Sequence, residues 1–172
     1  MRLRELQVKD AEKMLEWMHD ESVVSHLNTN FKSKTIEDCL EFIKDNVDCE
    51  TDKNLAIVDN TDEYMGTVSL KHIDRNNKVA EFAITVRKSA MGHGYSAFGM
   101  AEILRIGVEE LGLDNIYWCV SKYNERAVRF YDKNQYFRTL DVPEIIRNAY
   151  TKEQNDVFIW YVYSKNEMLH KG

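Results

Sequence analysis

Gly92-His93-Gly94 stands between an alternating stretch, KVAEFAITV (78–86), and an apolar, helix-favouring run that begins at Tyr95. Two glycines one residue apart at a strand-to-helix junction suit an anion. The first N–H groups of a helix have no intrahelical acceptor, the helix dipole is positive there, and a residue without Cβ lets a phosphate come close. Backbone N–H groups of Met91, Gly92, His93, Gly94, Tyr95 and Ser96 are the expected donors, with Arg87, Lys88 and His93 as cationic side chains nearby. Three ligand types compete. A Walker loop needs Gly-Lys-Ser/Thr, whereas Gly94 precedes Tyr95-Ser96. Gly92, Gly94 and Ala97 match the spacing of a dinucleotide fingerprint. However, Arg87 to Met91 separate the first glycine from the strand, and YWCVSK ends without the acid that would hold a ribose. A pyrophosphate cradle remains, alongside a plain turn that uses glycine for its dihedrals.

A second constellation lies in NERAVRFYDKNQYF (124–137), where Asn124, Ala127 and Tyr131 fall at i, i+3 and i+7 on one helical face. Asn124 suits the N-cap of that helix. Glu81 is an acid inside the apolar strand VAEFAITV. Cys119 sits mid-strand between Trp118 and Val120 and reads as a small core residue. His19, His26 and His72 show no metal spacing and no paired acid, so no metal site is expected.

The elements that would carry these residues follow from periodicity. RLRELQV (2–8) reads as a strand, and Ala11, Met14, Leu15 and Met18 mark a helix. Thr35, with Asp38 three residues on, opens a second helix whose apolar stripe is Ile36, Leu40 and Ile43. NLAIVDN, EYMGTVSLKHID and KVAEFAITV form a meander, followed by a helix over roughly 95–112 that ends near Gly112. NIYWCV is a buried strand, and YFRTL and DVFIWYVY are the last strands, separated by a segment holding Pro143. The expected class is α+β, a mostly antiparallel twisted sheet of six to seven strands with about four helices and one βαβ crossover, in a single domain over 1–172.

The chain has 172 residues, 44% hydrophobic and 30% charged, with one proline, which fits a globular domain. A net charge of −6 disfavours bulk nucleic-acid binding. No apolar run is long enough for a membrane span, and MRLRELQVKD lacks the apolar core of a signal peptide, so a cytoplasmic protein is expected. Cys39, Cys49 and Cys119 form no CxxC pair, which points to neither a disulfide framework nor zinc.

Together, Gly92/Gly94 and Asn124, Ala127, Tyr131 and Lys133 resemble the Gcn5-related N-acetyltransferase family, in its ribosomal-protein, polyamine and amino-sugar branch. The family's phosphate arm reads Gln/Arg-x-x-Gly-x-Gly/Ala, and its later helix reads Asn-x-x-Ala-x-x-x-Tyr-x-Lys-x-Gly-Phe. Ser89 stands in the Gln/Arg place, leaving Arg87 or Lys88 to contact the pyrophosphate, and Gln135-Tyr136 replace Gly-Phe. Asn134 is expected to supply the left-handed cap that the missing glycine would have given.

The resemblance implies acetyl-CoA as co-substrate, no metal, and transfer to a primary amine in a direct ternary complex. It implies that Ile84 to Val86 offer backbone groups to pantetheine, that Tyr131 is the general acid beside the leaving sulfur, and that Asn124 touches the pantetheine arm or positions water. Glu81, at the edge where the acetyl group would sit, is the candidate base. A packed aromatic, a helix cap and a cross-strand ion pair are the plain alternatives for Tyr131, Asn124 and Glu81. In such a protein HLNTNF, with Trp17 and Met18 before it, forms one wall of the acceptor site. A small-molecule amine, such as a nucleotide-linked amino sugar, is the leading acceptor. A protein N-terminus, a polyamine and a non-catalytic acyl-CoA-binding domain are the alternatives. No residue selects an oligomeric state, and a homodimer stays open.

Overall fold

The computed structural model describes residues 1–27 and 29–168, and the chain packs into two compact units. The first comprises 1–71 and 83–103, the second 72–82 and 104–172.

In the first unit, β1 (Arg2–Glu5) leads through a 3-10 turn at Val8–Asp10 into α1 (Ala11–Met18), followed by the short α2 (Glu21–Val24) and by α3 (Ile36–Asp45). The expected strand over 2–8 stops at Glu5. Asp10 is 2% exposed and takes the Arg4 guanidinium on both carboxylate oxygens, at 2.7 and 2.8 Å, while the Gln7 N–H donates to it at 2.8 Å. Those bonds turn the chain toward α1. The Thr35 box is formed as expected: the Thr35 N–H donates to Asp38 Oδ2 at 2.7 Å and the Asp38 N–H to Thr35 Oγ1 at 3.3 Å. The stripe of α3 is shifted, however. Cys39 and Ile43 are buried and Ile36 is partly buried, whereas Leu40 faces outward. The small Cys39 thiol fits against Met18 sulfur at 3.7 Å. With Ala11, Met14 and Trp17 of α1 and Ala56, Val58 and Tyr64 of the sheet, these residues make the core of this unit.

β2 (Lys53–Val58) pairs antiparallel with β1 and with β3 (Tyr64–Asp74), and β4 (Val79–Val86) follows. After a 3-10 turn at Lys88–Ala90, α4 (Tyr95–Arg105) begins. Its interior holds Gly99, where a Cβ would stand 2.4 Å from Ile57 Cδ1 and 3.3 Å from Ile84 Cδ1. The helix expected to reach residue 112 changes to a π-helical turn at Ile106–Glu110, which keeps Ile106, Gly107 and Val108 all buried in succession.

In the second unit, the start of β4 pairs in parallel with β5 (Asn115–Ser121) through Val79↔Asn115, Ala80↔Ile116 and Glu81↔Tyr117. α5 (Glu125–Lys133), β6 (Phe137–Arg138), α6 (Glu144–Arg147), α7 (Lys152–Val157), β7 (Phe158–Ser164) and a short α8 (Lys165–Met168) follow. The last strand lies between β5 and β6, giving the seven-stranded order β1-β2-β3-β4-β5-β7-β6. The class is therefore α+β, with a mostly antiparallel sheet and a central parallel crossover. The Pro143 segment, which reads as a connection in the sequence, forms α6 and α7. Pro143 is the N-cap of α6, and Thr151 and Gln154 form a capping box on α7.

Candidate active site

Gly92 and Gly94 both adopt left-handed backbone, with φ of +81° and +86°. A Cβ on Gly92 would meet nothing within 4 Å, and one on Gly94 only the Met1 methyl at 3.8 Å. The two positions therefore need glycine for their dihedrals and leave open space on the side a side chain would occupy. Of the N–H groups expected to face an anion, those of Met91 and His93 donate instead to the carbonyls of Lys88 and Ala90, at 3.2 and 3.3 Å. The N–H groups of Gly92 and Gly94 have no backbone acceptor among the described residues. Those of Tyr95 and Ser96 belong to the first turn of α4, which has no intrahelical acceptors. Four donors on an exposed glycine turn fit a pyrophosphate. Lys88, Ser89 and His93 are exposed beside them.

Arg87 corrects the expectation of a phosphate-binding side chain. It is 6% exposed, and its guanidinium is fully engaged within the first unit. It donates to both oxygens of Glu16 at 2.9 and 3.0 Å, to Glu63 at 2.7 Å and to the Tyr64 carbonyl at 3.0 Å. Burial alone would lower its pKa, but the carboxylates of Glu16 and then Glu63 outweigh that and raise it. Its role is to tie α1 and β3 to the end of β4.

Ala83, Ile84 and Thr85 are half-exposed in a strand otherwise buried, and Val86 is buried. Ala83, Ile84 and Thr85 line a cavity of about 240 Å³ together with α1, α3 and β3. Trp17, Met14, Met18, Phe31 and Phe42 supply its apolar wall. The Trp17 indole N–H donates to the buried Tyr64 hydroxyl at 3.0 Å, so the ring offers the cavity only its apolar surface. Phe31 packs edge-on to it, with centroids 5.0 Å apart. Phe31 and Trp17 belong to the segment expected to form an acceptor wall; Asn28 of HLNTNF lies outside the described residues.

In the second unit, Asn124 caps α5, its Oδ1 accepting from the Ala127 N–H at 3.2 Å. Seven residues on, Tyr131 packs its ring 5.5 Å from Trp118 and 5.0 Å from Tyr161. Asp132 anchors the helix there, accepting from the Tyr161 hydroxyl at 2.9 Å and from Arg138 at 2.6 Å. Burial pushes the Tyr131 phenol well above the usual tyrosine range. The left-handed residue after α5 is Gln135 (φ +58°), not Asn134, which stays at φ −85°.

Glu81 is 1% exposed. The Tyr150 hydroxyl donates to its Oε1, and His72 Nε2 lies 3.5 Å from its Oε2. That Oε2 has no hydrogen-bond partner among the described residues. Strand pairing separates this acid from Tyr131. Glu81, Tyr117 and Trp160 share one face of the sheet in this unit, while Phe82, Trp118 and Tyr161 carry the Tyr131 side. Tyr150 was missed in the sequence because it sits in the polar segment after Pro143, where only its being a lone aromatic marked it. Cys119 is half-buried on the Glu81 face.

The acetyltransferase (GNAT) domain profile matches residues 1–136. The chain belongs to the GNAT acetyltransferases. It is 25% identical over 130 residues to an uncharacterized N-acetyltransferase p20 of Bacillus licheniformis, covering 74% of this chain and 73% of that one. Its fold is similar to a crystal structure of spermidine N-acetyltransferase from Vibrio cholerae in complex with CoA and spermine, at TM-score 0.81 and 17% identity, over 98% of this chain and 97% of that one. It is also similar to a dodecameric structure of the Vibrio cholerae enzyme in an intermediate state, at TM-score 0.75 and 16% identity, over 99% and 97% of the two chains. This GNAT protein is an acetyl-CoA-dependent N-acetyltransferase. Among the described residues no group of three or more His, Cys, Asp or Glu side chains is placed to hold a metal, and no helix is long and apolar enough to cross a membrane.

Proposed function

We propose that this acetyltransferase moves an acetyl group from acetyl-CoA to the primary amine of a small molecule by direct attack in a ternary complex, as a single catalytic domain. The observation that carries the proposal is the glycine turn. Two left-handed glycines with uncommitted N–H groups, continued by the first N–H groups of α4, suit the pyrophosphate of coenzyme A. Lys88 and His93 are the cations left to assist, since Arg87 is committed elsewhere. The backbone from Ile84 to Val86 would hold the pantetheine arm.

Chemistry then requires two proton movements. As the amine nitrogen bonds to the thioester carbon, it loses a proton, and Glu81 is the proposed acceptor through Oε2, which has no hydrogen-bond partner among the described residues and faces His72 at 3.5 Å. As the C–S bond breaks, the thiolate gains a proton, and Tyr131 is the proposed donor, acting from the face of the sheet opposite Glu81. A phenol is protonated at neutral pH, as a donor must be, and burial, by raising its pKa further, makes it a weaker acid that must rely on positioning. Asn124 fixes the start of α5 and hence the reach of Tyr131.

A cavity of about 240 Å³ favours a small acceptor, because pockets for drug-sized ligands run to roughly 300–1,000 Å³. A nucleotide-linked amino sugar would have to leave its nucleotide outside, and its hydroxyls would meet the apolar wall. The spermidine named for the structural neighbours is a second reading, carried to this chain by fold alone.

Thermal melting with acetyl-CoA, together with thiol release over a panel of amines, tests the proposal. At 100 times Kd the ligand should add about 2.7 kcal/mol, or roughly 5–10 °C. Gly94→Val, which forces a branched side chain into left-handed backbone and into the open approach, should abolish the shift. An undiminished shift in a folded Gly94→Val protein would remove the cradle. Absence of thiol release with every small amine, despite tight acetyl-CoA binding, would overturn the small-molecule acceptor.

A further inference from the structure

The polar groups around the cavity of the first unit are unequal. Asn54 is bound to Asn46, its side-chain N–H donating to Asn46 Oδ1 at 2.9 Å, and the Thr67 hydroxyl lies 2.7 Å from that of Tyr64. Asp38 is held by the Thr35 N–H and has the Lys34 ammonium 3.9 Å away. That leaves Ser69 and Lys71 on β3, two apart and hence on the same face, together with the Thr85 hydroxyl on β4. Ser69 is 7% exposed and Lys71 is half-buried. Neither the Ser69 hydroxyl nor the Lys71 ammonium has a partner among the described residues. An ammonium and a hydroxyl without partners beside a wall of Trp17, Phe31 and Met14 are complementary to a molecule with an apolar body and an anionic group.

A polycation is the wrong ligand for such a lining. Two lysines face one aspartate around this cavity, and the aspartate is already the N-terminal box partner of α3. A polyamine would bring further positive charge to Lys71 and find no uncommitted carboxylate there. We propose that the acceptor is a small primary amine bearing an apolar or aromatic body and a single carboxylate. The body lies against Trp17 and Phe31, and the carboxylate is received by Lys71 and Ser69. This specificity rests on the small-amine acetyltransferase function proposed above and narrows it. Lys71 and Ser69 select the substrate, and neither is required for the transfer step.

The test pairs three apolar amino acids (phenylalanine, leucine and methionine) with their decarboxylated amines, and adds spermidine. Thiol release gives kcat and KM, and calorimetry in the presence of CoA gives binding without reaction. At least one amino acid should exceed its decarboxylated amine about 10-fold or more in kcat/KM, with spermidine below both. In Lys71→Met, KM for that amino acid should rise about 10-fold or more, the usual cost of losing a hydrogen bond to a charged group, while kcat and the KM of the decarboxylated amine stay put. Lys71→Arg should restore most of the affinity. Preference for spermidine, or an equal loss for both members of a pair in Lys71→Met, would overturn the proposal and leave the acetyltransferase function intact. Binding of an amino acid that Lys71→Met weakens, with no thiol release from any amine, would keep the carboxylate site and overturn the proposed reaction. No binding and no turnover of any carboxylated amine, in a protein still stabilised by acetyl-CoA, would overturn the carboxylate site alone.

Discussion

The backbone N–H of Tyr136 donates to the carbonyl of Tyr131 at 3.1 Å, and their rings stand 6.1 Å apart. With the Gln135 N–H donating to the Asp132 carbonyl at 3.0 Å, this is a Schellman close of α5, including its usual apolar contact. The motif wants glycine where this chain has Gln135, which is exposed and held at φ +58°.

Gln135→Gly should therefore stabilise the protein. A non-glycine residue in left-handed backbone costs about 1–2 kcal/mol, part of which glycine's greater freedom in the unfolded chain cancels. A net gain of about 0.5–1 kcal/mol is expected, seen as a Tm rise of roughly 1–4 °C with kcat unchanged. A lower Tm would mean that the Gln135 side chain contributes more than its strain costs.

Tyr131→Phe removes one hydroxyl and keeps the ring against Trp118 and Tyr161. Stability and CoA affinity should stay level while turnover falls by about 10²-fold, the lower end for a positioned acid. Near-normal turnover under conditions where chemistry limits the rate would leave Tyr131 a packing residue.

Glu81→Gln should lower turnover by about 10²-fold near neutral pH and by less at alkaline pH, where the amine sheds its own proton. The amide retains a carbonyl that accepts from Tyr150, so the melting curve separates folding from catalysis. A loss equal at every pH would assign the buried acid to structure, as the partner of Tyr150 and His72.

Glu16→Gln tests the Arg87 cluster by pH. The Arg87 hydrogen bonds hold the Glu16 carboxyl below its ordinary 4.5. A depressed carboxylate contributes stability that is complete above the unfolded pKa and lost as pH falls through the folded one. At pH 7 the variant should be less stable by about 1–2 kcal/mol. That lies below the figure for a fully buried pair, because Glu16 is half-exposed and Glu63 remains. The gap should close as pH drops below about 4.5; a gap that is constant from pH 7 to 3 would mean that charge is not involved.

Local signals in this chain were legible where short-range chemistry decides. Thr35 with Asp38 and Asn124 with Ala127 are caps whose partners lie three residues away, and both are formed. Thr151-x-x-Gln154 carried the same signature and marks a helix that periodicity alone passes over. Long-range placement was not legible. Arg87 reads as a cation beside a phosphate arm until Glu16, 71 positions earlier, is seen to hold it. Similarly, β7 enters between β5 and β6, a pairing set by tertiary packing, and Glu81 acquires Tyr150 only through that arrangement. Cys39 displaced Leu40 from the core because a small residue was needed beside Met18.

Gly99 has a consequence for ligand affinity. Glycine inside a helix costs about 1 kcal/mol relative to alanine, yet here a methyl group would collide with Ile57 and crowd Ile84. α4 is seated so closely on the strands that its first turn has little room to tilt. The donors at Gly92, Gly94, Tyr95 and Ser96 are thus preorganised. The conformational entropy of aligning them is lost when the chain folds, and much less of it remains to oppose the arrival of a nucleotide.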